Sequence, residues 1–533
     1  MAWEGRTLPD AVRRPRYEVT ALPGPATPLD NRVPPGGVRL TSIVERIRTT
    51  KNLATPMGTF EITCTYDAVP GMPGLPVSQV LIPGNVIDIA FDTGLPDTDL
   101  EVVMRGYVSL VEQSETLDGR GRPIRSIQVA GYDCGGWFMK HMQPVWMYSN
   151  FSHGDPEAKA RFEALVYIGG SIGACLRQLF LAIFTQVAPL QTVIEDGQFI
   201  TEPILDNQDD GTLDYWPAFN NITNVADFNG QFWSAFQQYA DHPWVESFGD
   251  YIPNPASTHF ANYLMASPKF SAGDVHSTVP ASTGGAGYYL ISRRTPFSIE
   301  RWNALPKTTI FDSEVKLART RQDDAERVNV VYVNPGGPGF ESTAAIPVYG
   351  ADARYVHRDE DSMKRYGTCM RQFSSIYSAF ATDPKDPQVQ TQYAAGQGDF
   401  ASMTARRADT LWRWFSINHK LASGVIITAG IPSIRIGEKV VGQGSDVGSA
   451  YLVGAAYGVG AEQIRRDWYV TQVVQEYVDG ANYLTNIAVT RGQPSDSFIT
   501  GLTQDILLSN FSFTGIDWTN VSDWHPPMKL PGT

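Results

Sequence analysis

The feature that most constrains this chain is a long β-hairpin that it carries twice. In the first copy Tyr107 to Glu115 runs out and Ile124 to Gly131 returns. The turn is Asp118-Gly119-Arg120-Gly121, where glycine is free to take positive φ. In the second copy Tyr469, Thr471, Val473, Gln475 and Tyr477 lead into Asp479-Gly480-Ala481-Asn482, and Tyr483, Thr485, Ile487 and Val489 return. Tyr107-Val108-Ser109-Leu110-Val111-Glu112-Gln113 reads against Tyr469-Val470-Thr471-Gln472-Val473-Val474-Gln475. Each hairpin follows a Pro/Gly turn and an alternating strand, Val86 to Phe91 or Ile434 to Ile436. Each returning strand ends at a glycine, Gly131 or Gly492. One barrel built twice in a chain is a device for making rings, because three such chains present six similar units.

The remaining signal is also mainly β. Phe60, Ile62, Cys64 and Tyr66 alternate with Glu61, Thr63 and Thr65, and Ile87, Ile89 and Phe91 alternate around Asp88 and Ala90. That period of two marks strands with one buried face, and short strands with regular turns suit a small barrel or sandwich. Between 155 and 190 the period changes: Ile172, Cys175, Leu176, Leu179, Phe180, Ile183 and Phe184 recur at helical spacing. A second helical stretch is expected from Asn229 to Tyr239. Residues 191–228 and 250–287 read as long loops. β character returns from Gly287 to Pro335, with Val328, Val330 and Tyr332 on one face. Residues 355–420 read as largely helical, most clearly Met403 to Phe415, and β resumes at Gly424.

The chain is therefore expected to be α+β, mainly β: two similar antiparallel β-barrel domains with helical and loop insertions, assembling into a pseudo-six-fold trimeric ring. Residues 1–37 form an extended arm and 38–140 the first barrel. A helical and loop insertion spans 141–286. The second barrel comes in two parts, 287–345 and 424–492, around a helical insertion at 346–423, and 493–533 is a C-terminal tail. At 533 residues and 42% apolar content the chain has material for several cores. A net charge of −14 argues against a surface that holds nucleic-acid phosphates, but an acidic channel wall would keep passing DNA from sticking. Cys64, Cys134, Cys175 and Cys369 lie far apart, which suits assembly in a reducing cytoplasm. Met1 to Pro23 has no apolar run of the kind a secretory signal needs, and the longest apolar run, Leu179 to Phe184, is too short to cross a bilayer.

Several constellations bear on chemistry. Gly169-Gly170-Ser171-Ile172-Gly173 fits the G-x-S-x-G of a nucleophile elbow, and an order such as Ser171, Asp250, His276 can be drawn downstream, among His242, His259, Asp241 and Asp274. The sequence before Ser171 lacks the βαβ alternation that supports such an elbow, so a small-residue helix face is the expected reading. His357-Arg358-Asp359-Glu360-Asp361 offers a His and three carboxylates, but a short charge run is usually a solvated face. Gly284 to Gly287 and Pro335 to Gly339 lack the Lys-Ser/Thr of a phosphate loop and read as turns. Trp233, Trp244, Trp302, Trp412 and Trp414 read as core. Trp518 and Trp524, in a Pro-rich tail, read as aromatics that dock on another subunit. No catalytic, cofactor-binding or metal-binding residue is assigned.

Taken together these segments resemble the baseplate hub proteins of phage tails. The resemblance runs through Thr59 to Ile62, Pro83 to Ile89, Gly106 to Asp133, and Trp233 to Asp250 with its Pro243-Trp244-Val245-Glu246-Ser247-Phe248. It continues through Leu290 to Phe297 as the strand opening the second barrel, Asp361 to Gly367, and Gly430 to Gly437. It covers most of 38–492. It departs at the longer loops 191–228 and 250–287 and in the tail after Arg491. The resemblance implies a structural role and no enzyme: a homotrimer around the tail channel that joins a six-fold tail tube to a three-fold spike or fibre. The implied partners are copies of itself, the tail tube or distal tail protein, the central spike or fibre, and the tape measure protein. DNA would pass through without specific binding. The implied location is the virion tail tip, assembled in the host cytoplasm. The alternatives are a tail-associated hydrolase (a Ser esterase or a wall-degrading enzyme) and the hub of a phage-like injection machine.

Overall fold

A computed structural model describes residues 15–24, 33–65, most of 69–95, 98–117, 123–133, 199–201, 245–252, 287–296, 305–321, 323–334, 356–374, 411–443, 466–478 and 482–492, with isolated positions such as Trp233, Tyr263 and Trp302. The first barrel comprises β1 (Tyr17–Leu22), β2 (Val38–Arg39), β3 (Val44–Asn52), β4 (Thr59–Thr65), β5 (Val86–Phe91), β6 (Glu101–Leu117) and β7 (Pro123–Asp133). Alternation makes these strands: in β4, Phe60, Ile62 and Cys64 are buried while Thr59 and Glu61 face water. The spatial order is β2-β1-β5-β6-β7-β4-β3. A 3-10 turn at Thr41–Ile43 carries the chain from β2 into β3, so the chain itself joins the two ends of the row and the sheet curls strongly toward a barrel, although β2 and β3 do not pair. At that corner the Leu40 amide donates to the Val19 carbonyl (2.8 Å) and the Tyr17 hydroxyl to the carbonyl of Thr41 (2.7 Å). Val19, Ile47, Phe60, Ile62, Ile89, Phe91 and Ile127 fill the interior.

β8 (Phe199–Thr201), β9 (Val245–Ile252) and β10 (Gly287–Arg294) form a separate three-stranded sheet, ordered β8-β10-β9. The second barrel opens with β11 (Lys307–Phe311) and β12 (Val315–Arg321). A further small sheet then intervenes, made of β13 (Val330–Asn334), β14 (Val356–Arg358) and β15 (Met370–Ser374), with helix α1 (Glu360–Tyr366) between the last two. Asp359 caps α1 by accepting from the Ser362 amide. The barrel resumes with β16 (Ala422–Ala429), β17 (Lys439–Gln443), β18 (Arg466–Val478) and β19 (Asn482–Gly492), in the order β12-β16-β19-β18-β17-β11. Another 3-10 turn, Asp312–Glu314, leads β11 into β12.

Apart from β1, the strands of the two barrels match in register. One residue is squeezed out of register in each leading hairpin strand: Ser109 between Val108 and Leu110, and Thr471 between Val470 and Gln472. The Ser109 hydroxyl donates to the Ala130 carbonyl at 3.1 Å and the Thr471 hydroxyl to that of Ala488 at 3.2 Å. Glu45 and Lys316 are bulged at the same place, just after each corner. Gly84 and Gly437 both hold positive φ, 97° and 75°, where a side chain would be strained. Their amides donate to the carbonyls of Val108 and Val470, at 3.0 and 2.8 Å. Gly84-Asn85 thus corresponds to Gly437-Glu438. The extra strand of the first barrel is β1, which lies between β2 and β5, whereas β11 pairs with β17 directly.

The structure corrects several sequence expectations. Tyr17–Leu22, read as part of the arm, is a strand of the first barrel, held by six residue pairs to β5. Gly287–Arg294 does not open the second barrel but pairs with β9. Ile434 to Ile436 is a turn region; the strand matching Val86–Phe91 is Lys439–Gln443. Gly131 pairs with Val108 as Val489 pairs with Val470, so Gly131 corresponds to Val489 and not to Gly492. Val356–Arg358 and Met370–Ser374 are strands within a region read as helical, drawn into extended form by pairing on both sides of Val330–Asn334. The helical expectations for 155–190 and Asn229 to Tyr239 lie outside the described residues, apart from Trp233, which is buried in a helical position.

Candidate assembly surface

The two barrels are joined edge to edge. β3 pairs antiparallel with the outer half of β18, from Asn52 opposite Gln472 to Arg46 opposite Val478, so both barrels belong to one thirteen-stranded sheet. Arg46 donates to Glu476 at 2.5 Å across this seam. Ile47, Val473, Val474 and Tyr477 are buried along it. The Tyr17 and Tyr477 rings lie 4.2 Å apart and the Phe91 and Tyr483 rings stack at 4.6 Å, so residues of the second barrel complete the core of the first.

Buried charge locks the β8-β10-β9 sheet over the seam. In β9 the alternation places Glu246, Phe248, Asp250 and Ile252 on one face, and all four are buried. Asp250 forms an ion pair with Lys51 of β3, lies 3.7 Å from Arg435 of the second barrel, and accepts from the Tyr263 hydroxyl at 3.1 Å. Arg435 also donates to Glu101 of β6 at 2.6 Å, so one guanidinium ties three parts of the fold. Arg293 of β10, fully buried, donates to Glu246 (2.6 Å) and to the carbonyls of Tyr263 and Gly437. Burial works against the Arg293 charge, but Glu246 beside it more than offsets that and holds it protonated. Asp250, Arg293 and Arg435 are buried, so these contacts fix how the small sheet sits against the two barrels.

Two other buried carboxyls run the opposite way. Burial pushes Asp133 up from its ordinary 3.8 to about 7, with Lys51 pulling it down, and pushes Glu438 up from 4.5 to about 8, with Arg435 pulling it down. A raised folded-state pKa gives stability that is fully present below the unfolded value and lost as pH rises through the folded one. Stability is therefore expected to fall between about pH 4 and about pH 8 on account of these groups. Urea midpoints across that range should shift less in Asp133→Asn and Glu438→Gln than in the wild type. An unchanged slope in both variants would contradict the assignment.

The enzyme candidates are not assembled by the described residues. Ser171, His242, His259, His276, Asp241 and Asp274 lie outside them, and Asp250 is committed to Lys51. Of the 357–361 run, His357 is buried beside the Trp412 ring, Arg358 pairs with Glu360 at 2.8 Å, and Asp359 caps α1. Asp359 and Asp361 also line a surface cleft of about 730 Å³ with Arg327, Tyr366, Trp412 and His419. Among the described residues no three His, Cys, Asp or Glu side chains are grouped to hold a metal, and no helix is long and apolar enough to cross a membrane. Gly287 begins β10. Pro335 to Gly339, Asp118 to Arg120, Trp244, Trp518, Trp524, Cys134 and Cys175 lie outside the described residues. Cys64 is a buried free thiol pushed up to about 12 by burial. The residues that sequence reasoning missed are Lys51, Glu246, Arg293, Arg435 and Glu438. The available signal was parity: Glu246 and Asp250 share a strand face with Phe248 and Ile252.

The fold defines a class: a mostly β protein with two equivalent curled barrels, antiparallel except for the parallel β11–β17 pair of the second, fused through one strand pair, with smaller sheets as insertions. No protein-family model and no curated protein matches the chain. Solved structures similar to it include phage tail proteins. A tail protein from Neisseria meningitidis MC58 shares 10% identity at a TM-score of 0.43, over 89% of this chain and 96% of that one. The 43 kDa tail protein of prophage MuSo2 from Shewanella oneidensis shares 12% at 0.42, over 89% and 98%. Prophage tail protein gp18 from Listeria monocytogenes EGD-e shares 9% at 0.38, over 91% and 98%.

Proposed function

We propose that this protein is the structural baseplate hub of a phage tail. Three chains form a ring around the tail channel. One face of the ring meets the six-fold tail tube or distal tail protein, and the other meets a three-fold spike or fibre. The observation that carries this reading is the residue-level equivalence of the two barrels. A chain with two equivalent units presents pseudo-six-fold symmetry when three copies close, which is the match a six-fold tube requires. The distributed resemblance of Thr59 to Ile62, Gly106 to Asp133 and Gly430 to Gly437 supports the same reading. Function then lies in surfaces and a channel, not in a catalytic cluster. The net charge of −14 suits passage of DNA without retention. The tape measure protein would end at this ring, Trp518 and Trp524 of the C-terminal tail would dock on a neighbouring subunit, and the ring would assemble in the host cytoplasm before joining the virion.

Immunogold labelling of tail particles containing this protein tests the placement. Gold confined to the distal tip is expected; gold along the shaft or at the head end would overturn it. Ser171→Ala is expected to leave particle function intact. Loss of ester hydrolysis by a folded Ser171→Ala protein would move the assignment to a tail-associated hydrolase.

A further inference from the structure

The seam inside the chain is a template for a contact between chains. β3 and β12 are equivalent strands, as are β18 and β6. Within the chain, β3 of the first barrel is covered by the outer half of β18 of the second. The complementary pair is left over: among the described residues nothing pairs with the outer edge of β12, nor with the outer edge of β6 beyond Val108. Long open edges of this kind are templates for further strand pairing. Their side chains are exposed where the template's are buried: Glu112, Gln113, Glu115 and Thr320 are exposed, whereas their equivalents in the seam, Val474, Gln475, Tyr477 and Thr49, are all buried.

We infer that β12 of one copy pairs antiparallel with the outer half of β6 of the next, in the register of the β3–β18 seam. This rests on the ring reading above and names its interface. Carrying the seam's partners over by equivalence sets Glu112 opposite Arg321, Gln113 opposite Thr320, Ser114 opposite Arg319 and Thr116 opposite Leu317. Charge agrees with that register. The β12 edge carries Lys316, Arg319 and Arg321, all exposed, and the β6 edge carries exposed Glu112 and Glu115. Glu112 meets Arg321 directly and Arg319 on the diagonal of the same face, as Glu476 meets Arg48 directly and Arg46 on the diagonal in the seam. The contact uses two different surfaces, so it propagates head to tail, and on the ring reading it closes after three copies. Each interface between chains would then repeat the interface within one.

The test is disulfide trapping in the full chain. Opposite residues in an antiparallel pair have Cα atoms about 4.5–5.5 Å apart, within reach of a disulfide. Gln113→Cys with Thr320→Cys, in a Cys369→Ser background, is expected to give a ladder of covalently joined chains on a non-reducing gel. Neither single variant, nor the offset pair Gln113→Cys with Leu317→Cys, should do so. Glu112→Arg is expected to weaken association about fivefold, and adding Arg321→Glu should restore it. A ring-sized particle by light scattering with no ladder, or with a ladder only from the offset pair, overturns the register while leaving the ring reading standing. A particle that stays a single chain overturns both.

Discussion

Asp250→Ala is expected to destabilise the protein by about 3–5 kcal/mol, the usual cost of removing one partner from a buried ion pair. Asp250 is fully buried, and Lys51, itself only 8% exposed, is its ion-pair partner. Arg435 lies 3.7 Å away, and the Tyr263 hydroxyl donates to the same carboxylate. Without Asp250 two cations remain under the β9 sheet with less compensating charge. Arg435 keeps Glu101, and Lys51 falls back on Asp133, whose carboxyl should then ionise at lower pH. Lys51→Met in the same chain should recover part of the loss, because it removes one buried charge left unpaired. Urea denaturation reads the effect as a fall in midpoint at unchanged slope. A loss below about 1 kcal/mol would mean that Lys51 reaches water when its partner is gone, and that the small sheet does not seal the seam.

Gly131→Val carries the second large effect, and the duplication shows why. Phe60 of β4 pairs with Gly131 of β7, and its ring lies over both Gly131 and Gly106. A Cβ on Gly106 would stand 2.9 Å from that ring and 2.7 Å from the Tyr132 carbonyl oxygen, and one on Gly131 would be tighter still against the ring and the Tyr107 carbonyl. In the second barrel the sizes are exchanged. The position of Phe60 is Gly424, and the positions of Gly106 and Gly131 are Trp468 and Val489. The same layer is filled from the opposite wall, with Trp468 and Val489 in the core. Overpacking a close-fitted core costs about 1–3 kcal/mol and more when backbone must move, so Gly131→Val should fall at or above about 3 kcal/mol. Adding Phe60→Gly should return part of that loss, giving a clear departure from additivity in a double-mutant cycle. Strictly additive losses would mean that the two sites do not share space.

What could be read from the sequence was whatever alternation wrote over enough residues. The two hairpins, Tyr107–Gly131 and Tyr469–Val489, are long and regular, and both are strands as expected. β1 was missed because it sits in a Pro-rich arm and owes its form to β5, far along the chain. Val356–Arg358 is too short for any period to register. Ile434 and Ile436 alternate and are both buried, yet they lie in a turn; positive φ at Gly437 sets the chain direction there, not the apolar pattern. The strand after it, Lys439–Gln443, begins with a buried Lys and so hid its start. The assembly surface was legible as a duplication, but not as two open edges, because which edge is covered depends on the β3–β18 pairing across more than four hundred residues. Nothing local marks Lys51, Arg293 and Arg435 as buried, since such side chains are rarely buried unless paired and their partners come from other elements.

The mass of the purified protein by light scattering, with negative-stain images of the same fraction, decides whether the two barrels build a trimeric ring. A particle three times the 58.7 kDa chain is expected, ring-shaped with a central hole and six similar lobes. A 58.7 kDa monomer without rings, at all concentrations and with tail partners added, would contradict it.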